Sequence, residues 1–137
     1  CDVRHALPLL SSLTAPDGRG VLHELKLKKN EEFNGFTLID ESYNANPPSM
    51  EIALKNLSAM QGDTYCRRIA VLGDMLELGA HAVEYHKNLA PLIAELDIDL
   101  VFASGEMMAH MFEGLPEIKQ TCYGKKSAEL LIENYKH

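Results

Sequence analysis

Apolar residues in the middle of the chain alternate between helical and strand-like spacing. At residues 50–60 and again at 82–96 they recur every three or four positions, which predicts two amphipathic helices that pack on a sheet. Two short apolar runs, at residues 69–72 and 100–103, are typical of strands covered on both faces in a parallel sheet. The middle of the chain therefore predicts helices that alternate with buried strands.

The N-terminal third has a different pattern. Residues 2–13 predict a short helix, which a Pro- and Gly-containing stretch at 14–18 ends. Residues 21–27 alternate between apolar and polar, as in a half-exposed strand. The turn-prone pair Asn34-Gly35 then leads into a second apolar segment at 36–39. We therefore expect an antiparallel pair of strands at a sheet edge.

Weaker signals near the C-terminus predict a strand at residues 119–123 and a helix at 128–135. The complete order, two strands followed by alternating helices and strands, is that of parallel strands joined by crossover helices. We predict an α/β fold, specifically a three-layer, Rossmann-like domain with a mostly parallel sheet, an antiparallel edge strand and flanking helices. Because no strand follows the last helix, we expect a closing strand to be missing after His137.

Composition narrows the class of protein. The 137 residues, 46% of them apolar, are enough for one main domain. The formal net charge of −7, without a basic stripe, argues against nucleic acid as a partner. No apolar run approaches the roughly 20 residues that cross a bilayer, so we expect no membrane insertion. Three cysteines without C-x-x-C spacing fit the cytoplasm, and the six histidines lack metal-ligand spacing, so we predict no metal site.

The most informative stretch is the polar link Ile39-Asp40-Glu41-Ser42-Tyr43-Asn44-Ala45-Asn46-Pro47-Pro48-Ser49-Met50. Ligands of open α/β sheets bind beyond the carboxyl ends of the strands, where this link lies. Asp40 could accept hydrogen bonds from ribose hydroxyls, Tyr43 could stack on a purine, and Asn44 and Asn46 could pair with a base or a phosphate. Equally, these polar groups could satisfy backbone donors in a turn while Ser49 caps the helix. The residue chemistry alone leaves both interpretations open.

Two further carboxylates, Asp74 and Glu77, follow the apolar run at 69–72. This position predicts that they lie on the same rim of the sheet as Asp40. Paired carboxylates could hold a metal or orient an amine. The simpler interpretation, which we favour, is that Asp74 caps a turn and Glu77 is solvated, with a role in shaping a substrate pocket as the more modest functional hypothesis.

Three of these segments together resemble the Mur ligase family. The segment from Asp40 to Met50 is similar to the one that opens the first helix of the C-terminal domain in the family's ligases for D-alanyl-D-alanine. Asp17-Gly18-Arg19-Gly20 resembles the family's interdomain Gly-Arg, and residues 71–79, followed by His86, agree in order and spacing. The resemblance covers roughly residues 6–105.

The resemblance implies which residues reach an ATP molecule bound by a preceding domain. Asp40 would contact the ribose, and Arg19 the ribose or the terminal phosphate, for which a planar fork of donors is well suited. Tyr43 and Asn44 would lie near the adenine. The residues assigned to a tentative pocket for the acceptor dipeptide are Asn46, Asp74 and Glu77.

The resemblance also implies a reaction, the ATP-dependent joining of D-alanyl-D-alanine to UDP-N-acetylmuramoyl-tripeptide in peptidoglycan precursor synthesis. In the family mechanism ATP phosphorylates the tripeptide's terminal carboxylate, and the dipeptide's amine then displaces the phosphate. The chain lacks the G-x-x-x-x-G-K-[ST] loop that the family carries in its central domain, and the ligands of Mg²⁺ are expected there too. We therefore expect this domain to close over ATP and the dipeptide but to be inactive alone.

The same resemblance suggests domain boundaries. Residues 1–15 are expected to be the tail of the preceding central ATPase domain and a linker, and residues 16–137 the C-terminal domain, truncated before its last strand. The alternative is a stand-alone, non-catalytic α/β module that binds a nucleotide or a protein. A phosphate loop encoded upstream in the same reading frame would distinguish the ligase from the module.

Overall fold

The computed structural model describes residues 16–29, 32–60, 67–117 and 119–124. The chain divides into two compact units, with the division between Asn44 and Ala45. The predicted boundary near residue 15 stays a prediction, because residues 1–15 lie outside the described residues. The same holds for the helices predicted at 2–13 and 128–135.

The first unit contains an antiparallel strand pair, β1 (Val21–Lys29) and β2 (Glu32–Asp40). The strand predicted at residues 21–27 is confirmed as part of β1. The predicted alternation of burial is not seen at its described side chains, because Leu22 and Leu25, on opposite faces, are 55% and 39% exposed. On the face that carries the even-numbered residues of β1, the Thr37 hydroxyl donates a hydrogen bond to the Glu24 carboxylate at 2.8 Å. Direct cross-strand pairs of this kind fix the register of a two-stranded sheet.

The turn predicted at Asn34-Gly35 is wrong. Both residues lie within β2 and pair with β1. A reversal there would leave the backbone groups of Glu32 and Phe33 without partners in the ladder. The observed ladder extends to the pair Lys29 and Glu32 and gives each strand nine paired residues, which is why this register is favoured.

The second unit contains a parallel sheet in the order β3 (Ile69–Gly73), β4 (Leu100–Ser104) and β5 (Gln120–Gly124). Both neighbouring pairs run parallel, with a register irregularity between Val101 and Phe102. The predicted α/β class, with parallel strands, an antiparallel pair and flanking helices, is confirmed. Among the described residues the antiparallel pair hydrogen-bonds as a two-stranded sheet of its own.

Four helices accompany the parallel strands in the described part of the chain: α1 (Pro47–Ala59), α2 (Ala82–Lys87), α3 (Leu89–Glu95) and α4 (Met108–Phe112). The single helix predicted at residues 82–96 is thus divided at Asn88 and preceded by a short 3-10 turn. Pro91 explains the division, because it has no N–H to donate to the carbonyl four residues earlier and its ring crowds that carbonyl.

Burial differs between the two strands that were predicted to be covered on both faces. β4 is buried at successive positions, as predicted. β3 alternates, and its Ile69 and Val71 side chains are 40% and 42% exposed, so the prediction is wrong for this strand. In the described sheet β4 is the central strand and β3 an edge strand, which has fewer neighbours to cover it. In the helix predicted at residues 82–96 to pack on the sheet, Tyr85 is 40% exposed, whereas the next residue, His86, is buried.

The core of the second unit lies between the helices and strands β3 and β4. Its fully buried side chains include Met75, Ile93, Met108 and Met111. Each such side chain contributes roughly 1.5–3 kcal/mol through the removal of apolar surface from water. Because Met75 follows β3 and Met108 begins α4, the core also holds the loops at the carboxyl ends of the strands.

Candidate functional site

Two loops of the first unit are joined by backbone hydrogen bonds. The Gly20 N–H donates to the Asp40 carbonyl at 2.8 Å, and the Tyr43 N–H donates to the Gly18 carbonyl at 3.0 Å. Gly18 has a φ of 75°, and a Cβ atom at this position would lie 2.7 Å from the Tyr43 nitrogen. Only glycine fits such a close approach without strain. These bonds bring Arg19 and Asp40, predicted from separate segments, to neighbouring positions.

Asp40 is partly exposed at the end of β2 and is held as a carboxylate by its own loop. Its Oδ1 accepts a hydrogen bond from the Ser42 N–H at 3.0 Å. The Ser42 hydroxyl is the main cause that lowers the pKa of Asp40, followed by the Ser42 N–H, with smaller contributions from His23 and the Gly18 N–H. Desolvation acts in the opposite direction but does not outweigh them. Asp40 is therefore an ionised acceptor at neutral pH.

Arg19 and Tyr43 form a cation–π pair. The Arg19 Cζ lies 4.0 Å from the centroid of the Tyr43 ring, and the tyrosine is 64% exposed. At an exposed position such a contact contributes about 0.5–1 kcal/mol. One face of the ring thus supports the guanidinium, and a purine could stack only on the other face. Asn44, which follows Tyr43, is exposed.

Asn46 is the N-cap of α1. Its side-chain oxygen accepts a hydrogen bond from the Ser49 N–H, and the Ser49 hydroxyl accepts one from the Asn46 N–H, both at 3.0 Å. This reciprocal arrangement is a capping box, and Pro47 begins the helix where its missing N–H has no cost. The cap predicted for Ser49 therefore belongs to Asn46, with Ser49 as its partner. The side-chain oxygen of Asn46 already has a partner in the backbone.

Asp74 connects the carboxyl ends of β3 and β4 in the second unit. Its Oδ1 accepts from the Met108 N–H at 2.7 Å and its Oδ2 from the Met107 N–H at 3.3 Å, at the start of α4. Gly105 has a φ of 112°, and a Cβ atom there would lie 2.3 Å from the Asp74 carboxylate. The favoured capping interpretation of Asp74 agrees with this geometry, although the capped amides lie 33 and 34 residues away.

Glu77 lies in the loop between β3 and α2 and is exposed. Its φ is 61°, and no other non-glycine among the described residues has a positive φ. A side chain in this left-handed conformation costs roughly 1 kcal/mol or more. Such strain persists only where surrounding contacts hold the backbone in place.

Gly18 and Gly105 also determine the geometry of these loops, and neither role was predicted from the sequence. The Asp17-Gly18-Arg19-Gly20 segment contains a turn signal that could have identified the first. Gly105 follows β4 and precedes Glu106 without a recognisable motif. A glycine is required there because a Cβ atom would overlap the carboxylate of Asp74, which is distant in sequence.

A shallow cavity of about 280 Å³ lies between α1 and the two helices α2 and α3. The residues that line it are Pro47, Glu51, Tyr85, Asn88, Leu89 and Leu92. No predicted site residue is among them. Within residues 16–124, as far as they are described, no group of three or more His, Cys, Asp or Glu side chains could hold a metal ion. No described helix is long and apolar enough to cross a membrane.

Comparison with known proteins supports the family resemblance. The family described as Mur ligase, glutamate ligase domain, matches residues 25–135. UDP-N-acetylmuramoyl-tripeptide--D-alanyl-D-alanine ligase of Bacillus subtilis is 36% identical over 90 residues, which are 66% of this chain and 19% of that protein. The chain thus spans about a fifth of the length of this relative.

Solved structures agree with the fold. A crystal structure of MurF from Acinetobacter baumannii superposes with a TM-score of 0.74 and 26% identity, covering 99% of this chain and 27% of that one. MurF ligase from Thermotoga maritima in complex with ADP gives a TM-score of 0.60 at 19% identity, covering 98% of this chain and 36% of that one, and this second likeness shows the fold alone. Because the family model matches most of its length and the fold is shared, the chain belongs to the Mur ligase family and corresponds to its glutamate ligase domain.

Proposed function

We propose that this chain is the C-terminal domain of a cytoplasmic, ATP-dependent ligase that joins D-alanyl-D-alanine to UDP-N-acetylmuramoyl-tripeptide in peptidoglycan precursor synthesis. Its family membership and the named activity of the Bacillus subtilis relative support the proposal. The single observation that carries it is the pair of hydrogen-bonded loops that places Arg19 beside Asp40. The phosphate-binding loop and the Mg²⁺ ligands are assigned to other domains of the ligase.

The two loops fit the ribose and phosphate groups of ATP. Asp40 is an ionised acceptor, and ribose hydroxyls are donors. Arg19 is exposed and carries the planar donors that suit a phosphate or a hydroxyl pair. The stack on Tyr43 limits the freedom of the guanidinium before ATP binds, which lowers the entropic cost of the contact. Tyr43 and Asn44 are proposed to lie near the adenine, with Tyr43 also supporting Arg19.

The acceptor dipeptide is assigned to the loops of the second unit. Glu77 is an exposed carboxylate that can pair with the dipeptide's ammonium group. Asp74 shapes the pocket instead of acting as a base, because both of its oxygens accept hydrogen bonds from backbone amides. Asn46 contributes by fixing the start of α1.

The experiment compares this chain with the product of the entire reading frame that encodes it. Phosphate release is measured with ATP, UDP-muramoyl-tripeptide and D-alanyl-D-alanine, and with each omitted in turn. We expect the entire product to release phosphate only when all three are present. The chain alone should be silent, because positioning and charge neutralisation by the phosphate loop supply nearly all of phosphoryl-transfer catalysis.

Two results would contradict the proposal in different ways. If the entire product folds but never consumes the dipeptide, the assignment as a D-alanyl-D-alanine ligase fails. If the chain alone turns over and Asp40→Ala abolishes that turnover, the chain is an enzyme by itself and the division of labour between domains is wrong.

A further inference from the structure

His86 is fully buried in α2, in a core rich in methionine. Its Nε2 accepts a hydrogen bond from the Met75 N–H at 2.9 Å. Its Nδ1 lies 2.6 Å from the Ala82 carbonyl, which can only accept. An imidazole that accepts at Nε2 and donates at Nδ1 is neutral and carries its proton on Nδ1. The geometry thus fixes one tautomer.

The two partners of this imidazole stand at the two ends of one loop. Met75 follows β3 and Ala82 begins α2, so the ring bridges the ends of residues 76–81. Glu77, with its left-handed backbone, lies inside the bridged segment. The residue before Met75 is Asp74, whose carboxylate holds the start of α4. The loop at residues 76–81 is therefore held at both ends. Asp74 fixes the chain just before it, and the His86 imidazole links Met75 to the start of α2.

Filling the core does not by itself explain a histidine at this position, because only a side chain with an acceptor satisfies the buried Met75 N–H. Burying an imidazole requires both nitrogens to keep partners, whereas an apolar side chain of similar size would fill the same core without that requirement. The two hydrogen bonds are made to the main chain of the loop and of its helix. What they determine is the path of the backbone through Glu77, which is strained and needs such support.

We propose that His86 is a positioning residue for the acceptor site: its neutral imidazole holds the 76–81 loop closed and so presents the Glu77 carboxylate to the ammonium group of the incoming dipeptide. The proposal rests on the proposed function for the identity of the acceptor. It goes beyond that function by assigning to a buried side chain the control of how the acceptor is bound.

Two isosteric amides separate the two hydrogen bonds of His86. In His86→Gln the amide oxygen takes the place of Nε2 and keeps the acceptor for the Met75 N–H. In His86→Asn the amide nitrogen takes the place of Nδ1 and keeps only the donor to the Ala82 carbonyl. In the entire ligase, we expect His86→Asn to raise KM for D-alanyl-D-alanine at least tenfold with KM for ATP unchanged. His86→Gln should stay within threefold of the parent.

A double-mutant cycle with Glu77→Gln distinguishes positioning from general stability. If His86 acts through Glu77, Glu77→Gln alone raises the dipeptide KM, and adding His86→Asn to it raises that KM no further. Independent effects that multiply would overturn the proposal. So would a His86→Asn enzyme with a lower folded fraction or kcat but an unchanged dipeptide KM.

A second measurement tests the hydrogen bond between Met75 and His86 without relying on activity. It remains informative if one variant does not fold or if the proposed function fails. Amide exchange of Met75, followed by NMR, should be slow in the parent and in His86→Gln and faster in His86→Asn. If His86→Asn is insoluble, a folded His86→Gln protein with a raised dipeptide KM or fast Met75 exchange overturns the bridge. If the parent ligase does not use the dipeptide, the proposed function fails, and Met75 exchange still decides whether the bridge exists.

Discussion

Asp40 and Asp74 both stand at the end of an apolar strand, yet the structure uses them differently. Asp40 accepts a hydrogen bond from Ser42, two residues away, and stays partly exposed. Asp74 accepts from two amides that are 33 and 34 residues away and connects two strand ends. The carboxylate held mainly by its own loop stays partly exposed, whereas the one that accepts from distant amides is committed to the fold.

This difference explains why the two carboxylates receive different roles. The hydrogen bonds to Asp40 come mainly from its own loop and leave the carboxylate partly exposed to an external donor. For Asp74, the capping bonds engage both oxygens, so a ligand would have to compete with the start of α4. We infer that ligand contacts in the second unit fall to Glu77, while Asp74 fixes the loops around it.

The largest expected effect is a loss of stability when the contact between Gly105 and the Asp74 carboxylate is disturbed. Gly105→Ala should destabilise the chain by about 3 kcal/mol or more, because the new Cβ overlaps the Asp74 carboxylate and the backbone is left-handed. Gly79→Ala, at a φ of 60° with open space around it, is the matched control and should cost about 1–2 kcal/mol. Urea unfolding of the purified variants measures both.

Asp74→Ala sharpens the same prediction. It removes the group that Gly105→Ala would overlap, so the glycine substitution should cost less in that background than in the parent. Equal costs in both backgrounds would show that the constraint on Gly105 is its φ angle alone and that the contact with Asp74 is unimportant.

The sequence allowed prediction of the features that depend on neighbouring residues. The parallel strands, the course of α1 and the polar loop around Asp40 follow from local periodicity and turn chemistry. The division of the helix predicted at residues 82–96 could also have been predicted, because Pro91 lies inside it. The pattern could not show that Asn34-Gly35 continues a strand, since that depends on pairing with β1.

A capping role for Asp74 could be predicted, but the partners of Asp74 and His86 and the constraint on Gly105 could not, for a different reason. Each depends on a partner that only the fold brings near, and no spacing rule relates residue 74 to residue 108. The same holds for the contact of Arg19 with Tyr43, although both residues were assigned to the nucleotide site. Residues could be assigned to a site from the sequence, and those assignments stay predictions, whereas the contacts between these residues could not be predicted.

An intermediate effect is expected at Arg19, which lies beside the partly exposed Asp40. Arg19→Lys in the entire ligase should lower kcat roughly tenfold despite keeping the charge, because an ammonium group cannot reproduce the planar fork or its stack on Tyr43. Arg67→Lys, at an exposed arginine of the second unit, is the control and should turn over like the parent. A lysine variant at position 19 that matched the parent would remove Arg19 from the phosphate contact.

The smallest expected effect is on pH dependence. Folding lowers the pKa of Asp40, mainly through the Ser42 hydroxyl, so this interaction stabilises the fold above the unfolded pKa and is lost as pH falls through the folded pKa. Ser42→Ala should raise the pKa of Asp40 towards its ordinary value, as followed by NMR titration of the carboxyl carbon. A pKa that does not move would assign the effect to other groups of the loop.

The central claim, that this chain supplies the ribose contact of an ATP-dependent ligase, is tested most directly by the steady-state constants of Asp40→Ala in the entire enzyme. Loss of a charged hydrogen bond to ribose should raise KM for ATP about tenfold or more, with KM for D-alanyl-D-alanine unchanged. Asp17→Ala, which removes an exposed carboxylate from the neighbouring loop, should leave both constants as in the parent. An Asp40→Ala enzyme with the parent's KM for ATP would contradict the account.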